Sequence, residues 1–110
     1  MEGTSIPNLV DRIIHRGVNF IIINFNIKEV DDGFEWDCVT MPYVDFEYGK
    51  IVDALVTYKY PNDKMQSVIN NYLLEQDNAE YIREFSEMQA WRKEAKEIAR
   101  EALEYELSNG

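Results

Sequence analysis

A chain of 110 residues with 45% hydrophobic and 13% aromatic content is one domain with a single modest core, and is too apolar to be intrinsically disordered. Its formal net charge of −10 opposes the phosphate neutralisation that a generic nucleic-acid binder needs, and equally opposes docking on anionic lipid. The single cysteine, Cys38, allows neither an intramolecular disulfide nor a Cys-rich zinc site, and the longest apolar run, Phe20-Ile21-Ile22-Ile23, falls far short of the roughly 18 residues of a membrane span.

The opening Met1-Glu2-Gly3-Thr4 has neither the basic region nor the apolar core of a signal peptide, so the expectation is a cytoplasmic, reducing place of synthesis. In "SIPNLVDRIIHRG", Leu9, Val10, Ile13 and Ile14 recur at helical spacing. Pro7 suits a first turn, His15 and Arg16 a last turn, and Gly17 a stop, so a short helix is predicted. The period then changes to two. In "VNFIIINFNIKEV", Ile21, Ile23, Phe25 and Ile27 share one face of a strand, and Asn24, Asn26 and Lys28 the other. Asp31-Asp32-Gly33 is a hairpin turn, and "FEWDCVTM" returns as a strand with Phe34, Trp36 and Cys38 towards the core and Glu35 and Asp37 towards water.

After Met41-Pro42, "DFEYGKIVDALVTYKYP" places Tyr48, Ile51, Val52, Leu55 and Val56 on a helical stripe that Pro61 closes. The alternative is a strand over "ALVTYKY". Asn62 or Asp63 caps a helix in "KMQSVINNYLLEQ", with Met65, Val68, Ile69, Tyr72 and Leu73 on one face. Asp77 or Asn78 caps a last helix over 78–107, about 45 Å long at 1.5 Å per residue. The expectation is one α+β domain over 1–110: a short N-terminal helix and a β-hairpin, then two short helices and one long C-terminal helix, either packed along its own domain or projecting from it.

In that last helix Met88, Trp91, Ala95, Ile98, Ala102 and Tyr105 are spaced 3, 4, 3, 4, 3, a heptad seam whose alanines permit close helix approach. Two occupants fit it: the helices of its own domain, or a partner chain, with Trp91 and Tyr105 of the type favoured as interface anchors. Arg92, Lys96 and Arg100 share another face among Glu94, Glu97 and Glu101, and read as a solvated, salt-bridged surface. Glu101, Glu104 and Glu106 sit where the helix dipole disfavours acids, which would suit a basic group meeting the tip. Acid is concentrated upstream in Glu29, Asp31, Asp32, Glu35, Asp37, Asp45, Glu47 and Asp53, against Lys50 alone.

No catalytic constellation emerges. His15 is the sole histidine and has no nucleophile beside it in the sequence; Cys38 reads as a small core hydrophobe; the glycines form no phosphate loop. "DDGFEWD" departs from the ligand order of a calcium loop. No cofactor or metal is expected.

The stretch "EWDCVTMPYVDFEYGKIVDALVTYKYPNDKMQSVINNYLL", followed by "EMQAWRKEAKEIA", resembles small uncharacterised proteins encoded in phages and prophages of Bacteroides-type gut bacteria. The features that carry it are Trp36 on a strand with a proline soon after, the run Tyr60-Pro61-Asn62-Asp63-Lys64-Met65-Gln66, Asn70-Asn71-Tyr72, and the helix with Trp91-Arg92 and Lys96. The resemblance covers roughly residues 34–100. It implies virion-associated or accessory proteins in a bacterial host and supplies no active site. The leading expectation is a non-enzymatic structural or assembly protein that uses the long helix, with Met88, Trp91, Ile98 and Tyr105 as anchors, to bind a protein partner or a second copy of itself. The alternative is an acidic binding module, an inhibitor or DNA mimic, using the 29–53 patch.

Overall fold

The computed structural model describes residues 1–109. Four antiparallel strands, β1 (Glu2–Gly3), β2 (Val10–His15), β3 (Val18–Val30) and β4 (Gly33–Pro42), form a sheet of order β1-β4-β3-β2. A 3-10 turn at Tyr43–Asp45 leads into α1 (Tyr48–Lys59), α2 (Asn62–Leu74) and α3 (Ala79–Asn109). The α+β class and the three-helix C-terminal half agree with the sequence.

The first element does not. Residues expected to form a short helix form β2 instead. Arg16 and Gly17 both take positive φ, 52° and 79°, the geometry of a two-residue turn whose twist matches its flanking strands. That turn folds Val10–His15 back on β3, from His15 opposite Val18 to Val10 opposite Ile23. The β-branched Val10, Ile13 and Ile14 suit this pairing.

The face expected for β4 is also inverted. Ile21 pairs with Met41, Ile23 with Val39 and Phe25 with Asp37, so these residues share the face on which the helices pack. Trp36 and Cys38 lie half-buried on the opposite face. The change of phase occurs at Asn26, whose φ of 52° sits in a bulge between Phe25 and Lys28. The bulge puts an extra residue into β3 and reverses its alternation, and Ile27, expected in the core, is exposed.

The inner face carries Val10, Ile21, Ile23, Phe25 and Met41 against Ile51, Leu55 and Val56 of α1 and the alanine-rich side of α3. α2 packs on α3, with Tyr72 and Phe85 stacked at 4.3 Å. Asn78 caps α3, its side-chain oxygen accepting from the backbone N–H of Glu80 and Tyr81. Residues 4–9 pass from one sheet edge to the other across the outer face. They are held there by Asn24, buried among polar partners, whose amide donates to the Asn8 carbonyl at 2.7 Å and to Asp11 at 3.0 Å.

Candidate functional site

The heptad seam is covered by its own chain. Met88, Trp91, Ala95, Ile98 and Ala102 are all buried, and Tyr105 is partly buried against the same core. Ala95, Ala99 and Ala102 have no exposed surface and let α3 lie close along the sheet and α1. Trp91 anchors the packing: its indole N–H donates to the Leu55 carbonyl at 2.9 Å, its ring meets Phe25 at 5.7 Å, and the Lys59 ammonium covers it at 4.1 Å. Of the two occupants that the spacing allows, the chain's own domain fills the seam, so these residues are not free to anchor a partner.

The basic group that meets the acidic tip of α3 is also internal. Arg12 on β2 forms a charge-assisted pair with Glu106, its Nε donating at 2.8 Å, and lies 4.9 Å from the Tyr43 ring centroid. The hydrogen bond to Glu106 pushes the Arg12 guanidinium pKa above its ordinary value. By contrast, Arg92, Lys96 and Arg100 make no ion pair among the described residues; the salt bridge on the surface of α3 is Arg83–Glu87 at 3.3 Å.

The acidic stretch does not form one surface. Glu29, Asp31, Asp32 and Glu35 surround the β3–β4 turn, whereas Asp45 and Glu47 lie beyond the far end of β4, about 30 Å away for a strand of that length, and Asp53 is on α1 beside Met41. Asp45 is paired with Lys50 at 3.1 Å, and Lys28 stands opposite Glu35 across the ladder. Asp37, between the groups, accepts from the Asn26 amide at 3.0 Å. That bond, helped by Tyr58 and Lys59, holds its carboxyl below the usual range, and the same Asp37 raises the Tyr58 phenol.

His15 is exposed in the β2–β3 hairpin, and Cys38 lies 3.5 Å from the Met1 sulfur. Among the described residues, no group of three or more His, Cys, Asp or Glu side chains is arranged to hold a metal ion. No helix among the described residues is long and apolar enough to cross a membrane.

One region stands out instead. At the end of the molecule where β2 turns into β3, the sheet hands over to the 3-10 turn and α3 ends, large apolar side chains face water. Ile14 is 74% exposed, Val44 84% and Leu107 87%, with Tyr43 exposed at the same end and Ile13 and Val18 exposed there on the opposite face of the sheet. Phe20 opposite Pro42 and the Arg12–Glu106 pair hold these three elements together. A depression of about 300 Å³ lined by Arg12, Tyr43, Phe46, Leu103, Glu106 and Leu107 runs between them. An apolar patch with tyrosine, an arginine and a charged rim has the make-up of a protein-binding surface. The sequence does not reveal it, because Ile13 and Ile14 recur at helical spacing and Tyr43 and Val44 fall where no periodic pattern exists.

Compared with protein-family models, curated proteins and solved structures, the chain finds no match.

Proposed function

We propose that this chain is a non-enzymatic assembly or accessory protein that acts by binding protein, either a second copy of itself or a larger partner. The observation that carries the reading is the exposed apolar end built from Ile13, Ile14, Val18, Tyr43, Val44 and Leu107. Keeping such side chains in water opposes solubility, and a protein partner relieves it. The resemblance to phage- and prophage-encoded proteins supports placing that role in a bacterial host, including particle assembly. The seam of α3 is not the contact; its place is taken by the end of α3 and the elements beside it.

The test is the native mass of the protein extracted from the organism that encodes it, for the parent chain and for an Ile13→Glu/Leu107→Glu variant. The expected result is a complex heavier than the 13.0 kDa chain, lost in the variant. A parent chain that runs as a free monomer would overturn the reading.

The acidic-module alternative receives one supporting observation: Glu29, Asp31, Asp32 and Glu35 gather at the β3–β4 turn with Lys28 as their near counter-charge. A basic partner that lets go steeply as salt rises, and that is lost when these four acids are neutralised, would favour it.

A further inference from the structure

We propose that the partner is a second copy of this chain, joined antiparallel through the free edge of β2 so that two four-stranded sheets become one. This deepens the assembly reading and rests on it.

The two edges of the sheet are treated differently. β1 is two residues long and adds little pairing surface. β2 is six residues long, without proline or bulge, and among the described residues no strand pairs with its outer side. Natural edges of that length are usually blunted by proline, bulges or outward charge. The two-residue turn makes His15–Val18 a hydrogen-bonded pair, and the Leu9 carbonyl accepting from the Asn24 N–H continues the same phase. The N–H and C=O groups of Val10, Arg12 and Ile14 therefore point away from β3. No backbone partner outside the ladder is found for them among the described residues. The 74% exposure of Ile14, on the face where the helices pack, means that they do not overhang the edge there.

Charge then selects a register. Two β2 strands can bond only when outward-facing residues meet, which leaves registers two residues apart. With Arg12 opposite Arg12, two guanidinium groups stand side by side. With Ile14 opposite Ile14, Arg12 falls beside Arg16. The register between them places Arg12 opposite Ile14, Ile13 opposite Ile13 and Asp11 opposite His15, twice over. Cross-strand pairs of opposite or apolar character favour pairing and like charges oppose it. Asp11 is available for this: its two oxygens accept from Asn8 and Asn24 and keep further acceptor capacity, so the His15 imidazole of the other copy has a partner. On the outer face Ile13, Phe20 and Ile22 of one copy then continue into those of the other.

The experiment is sedimentation velocity on the full chain from about 1 to 200 μM, with Ile14→Pro as the variant. Proline at position 14 removes an outward N–H that the monomer does not use, so circular dichroism and melting should stay at the parent's values. In the dimer it removes one ladder bond per copy, and the dissociation constant should rise at least about 30-fold. In a Cys38→Ser background, Ile13→Cys should form a disulfide dimer on mild oxidation, since the two residues meet at the axis. The exposed control Ile6→Cys should not. A monomeric parent throughout the range overturns the inference, and the assembly reading then depends on a different protein, as its own mass measurement decides. A dimer that survives in folded Ile14→Pro, or that Ile13→Cys fails to lock, also overturns it while leaving the assembly reading standing.

Discussion

Replacing Trp91 measures directly how much of the long helix's apolar seam serves this chain's own fold. The ring is 4% exposed, contacts Phe25, lies under Lys59 and donates to Leu55. Trp91→Ala empties a site at the junction of α1, α3 and the sheet, and buried Trp→Ala changes cost about 3–5 kcal/mol. Trp91→Phe keeps most of the ring but gives up the indole N–H bond to the Leu55 carbonyl, which keeps its helical donor in α1, at about 0.5–1.5 kcal/mol. Against a total of about 5–15 kcal/mol for a domain, the alanine variant should be close to unfolding at 37 °C and the phenylalanine variant should not. Urea unfolding followed by far-UV circular dichroism gives both values, and comparing protein concentrations tenfold apart separates folding from association. The difference between parent and variant should not depend on concentration. A cost below about 1 kcal/mol for Trp91→Ala, or a difference that appears only at high concentration, would refute the assignment of the seam to the monomer core.

Three further outcomes test other parts of the fold. Gly33→Ala should detach β1, because a Cβ there would stand 2.1 Å from the Gly3 carbonyl oxygen; amide exchange at Glu2, Gly3 and Trp36 should speed up while the core amides hold. Asn24→Leu should destabilise by about 1–3 kcal/mol in thermal or urea unfolding, since the Asn8 carbonyl and Asp11 lose a buried donor. Asp37 has a folded pKa below its unfolded value, so it contributes stability above the ordinary carboxylate range, about 3.9, and that contribution is lost as pH falls through the folded value. Asp37→Asn should therefore lower the melting temperature at neutral pH, and the gap to the parent should close on acidification; a gap that widens in acid would contradict the sign.

Where regular periodicity and burial coincide, the structure was legible in the sequence. Ile51, Leu55 and Val56 on α1, and Met88, Trp91, Ala95, Ile98 and Ala102 on α3, are buried at the spacing that marked them. β2 was not legible because an edge strand buries one side chain, Val10, and leaves the rest half-buried or exposed; no alternation is imposed, and Leu9, Val10, Ile13 and Ile14 mimic a helix. The face of β4 was misread because a single residue, Asn26, in a left-handed conformation reverses the phase, and nothing in "FNIKEV" announces it. The occupant of the α3 seam lay beyond sequence altogether, since heptad spacing specifies a close neighbour and not whose chain supplies it. The exposed end is assembled from three distant segments, so no local pattern contains it.

The placement of the two tryptophans equips the molecule with reporters that separate its layers. The Trp91 N–H is tied to a carbonyl inside the core, so its proton exchanges with solvent only when the helices leave the sheet. The Trp36 N–H is buried without an acceptor among the described residues, under the Gly3 end of the outer-face crossing, and needs only that crossing to lift. Local and global opening differ in free energy. The two indole signals of one proton spectrum would thus disappear at separate rates, timing the loosening of the outer wrap against the loss of the core without any added label.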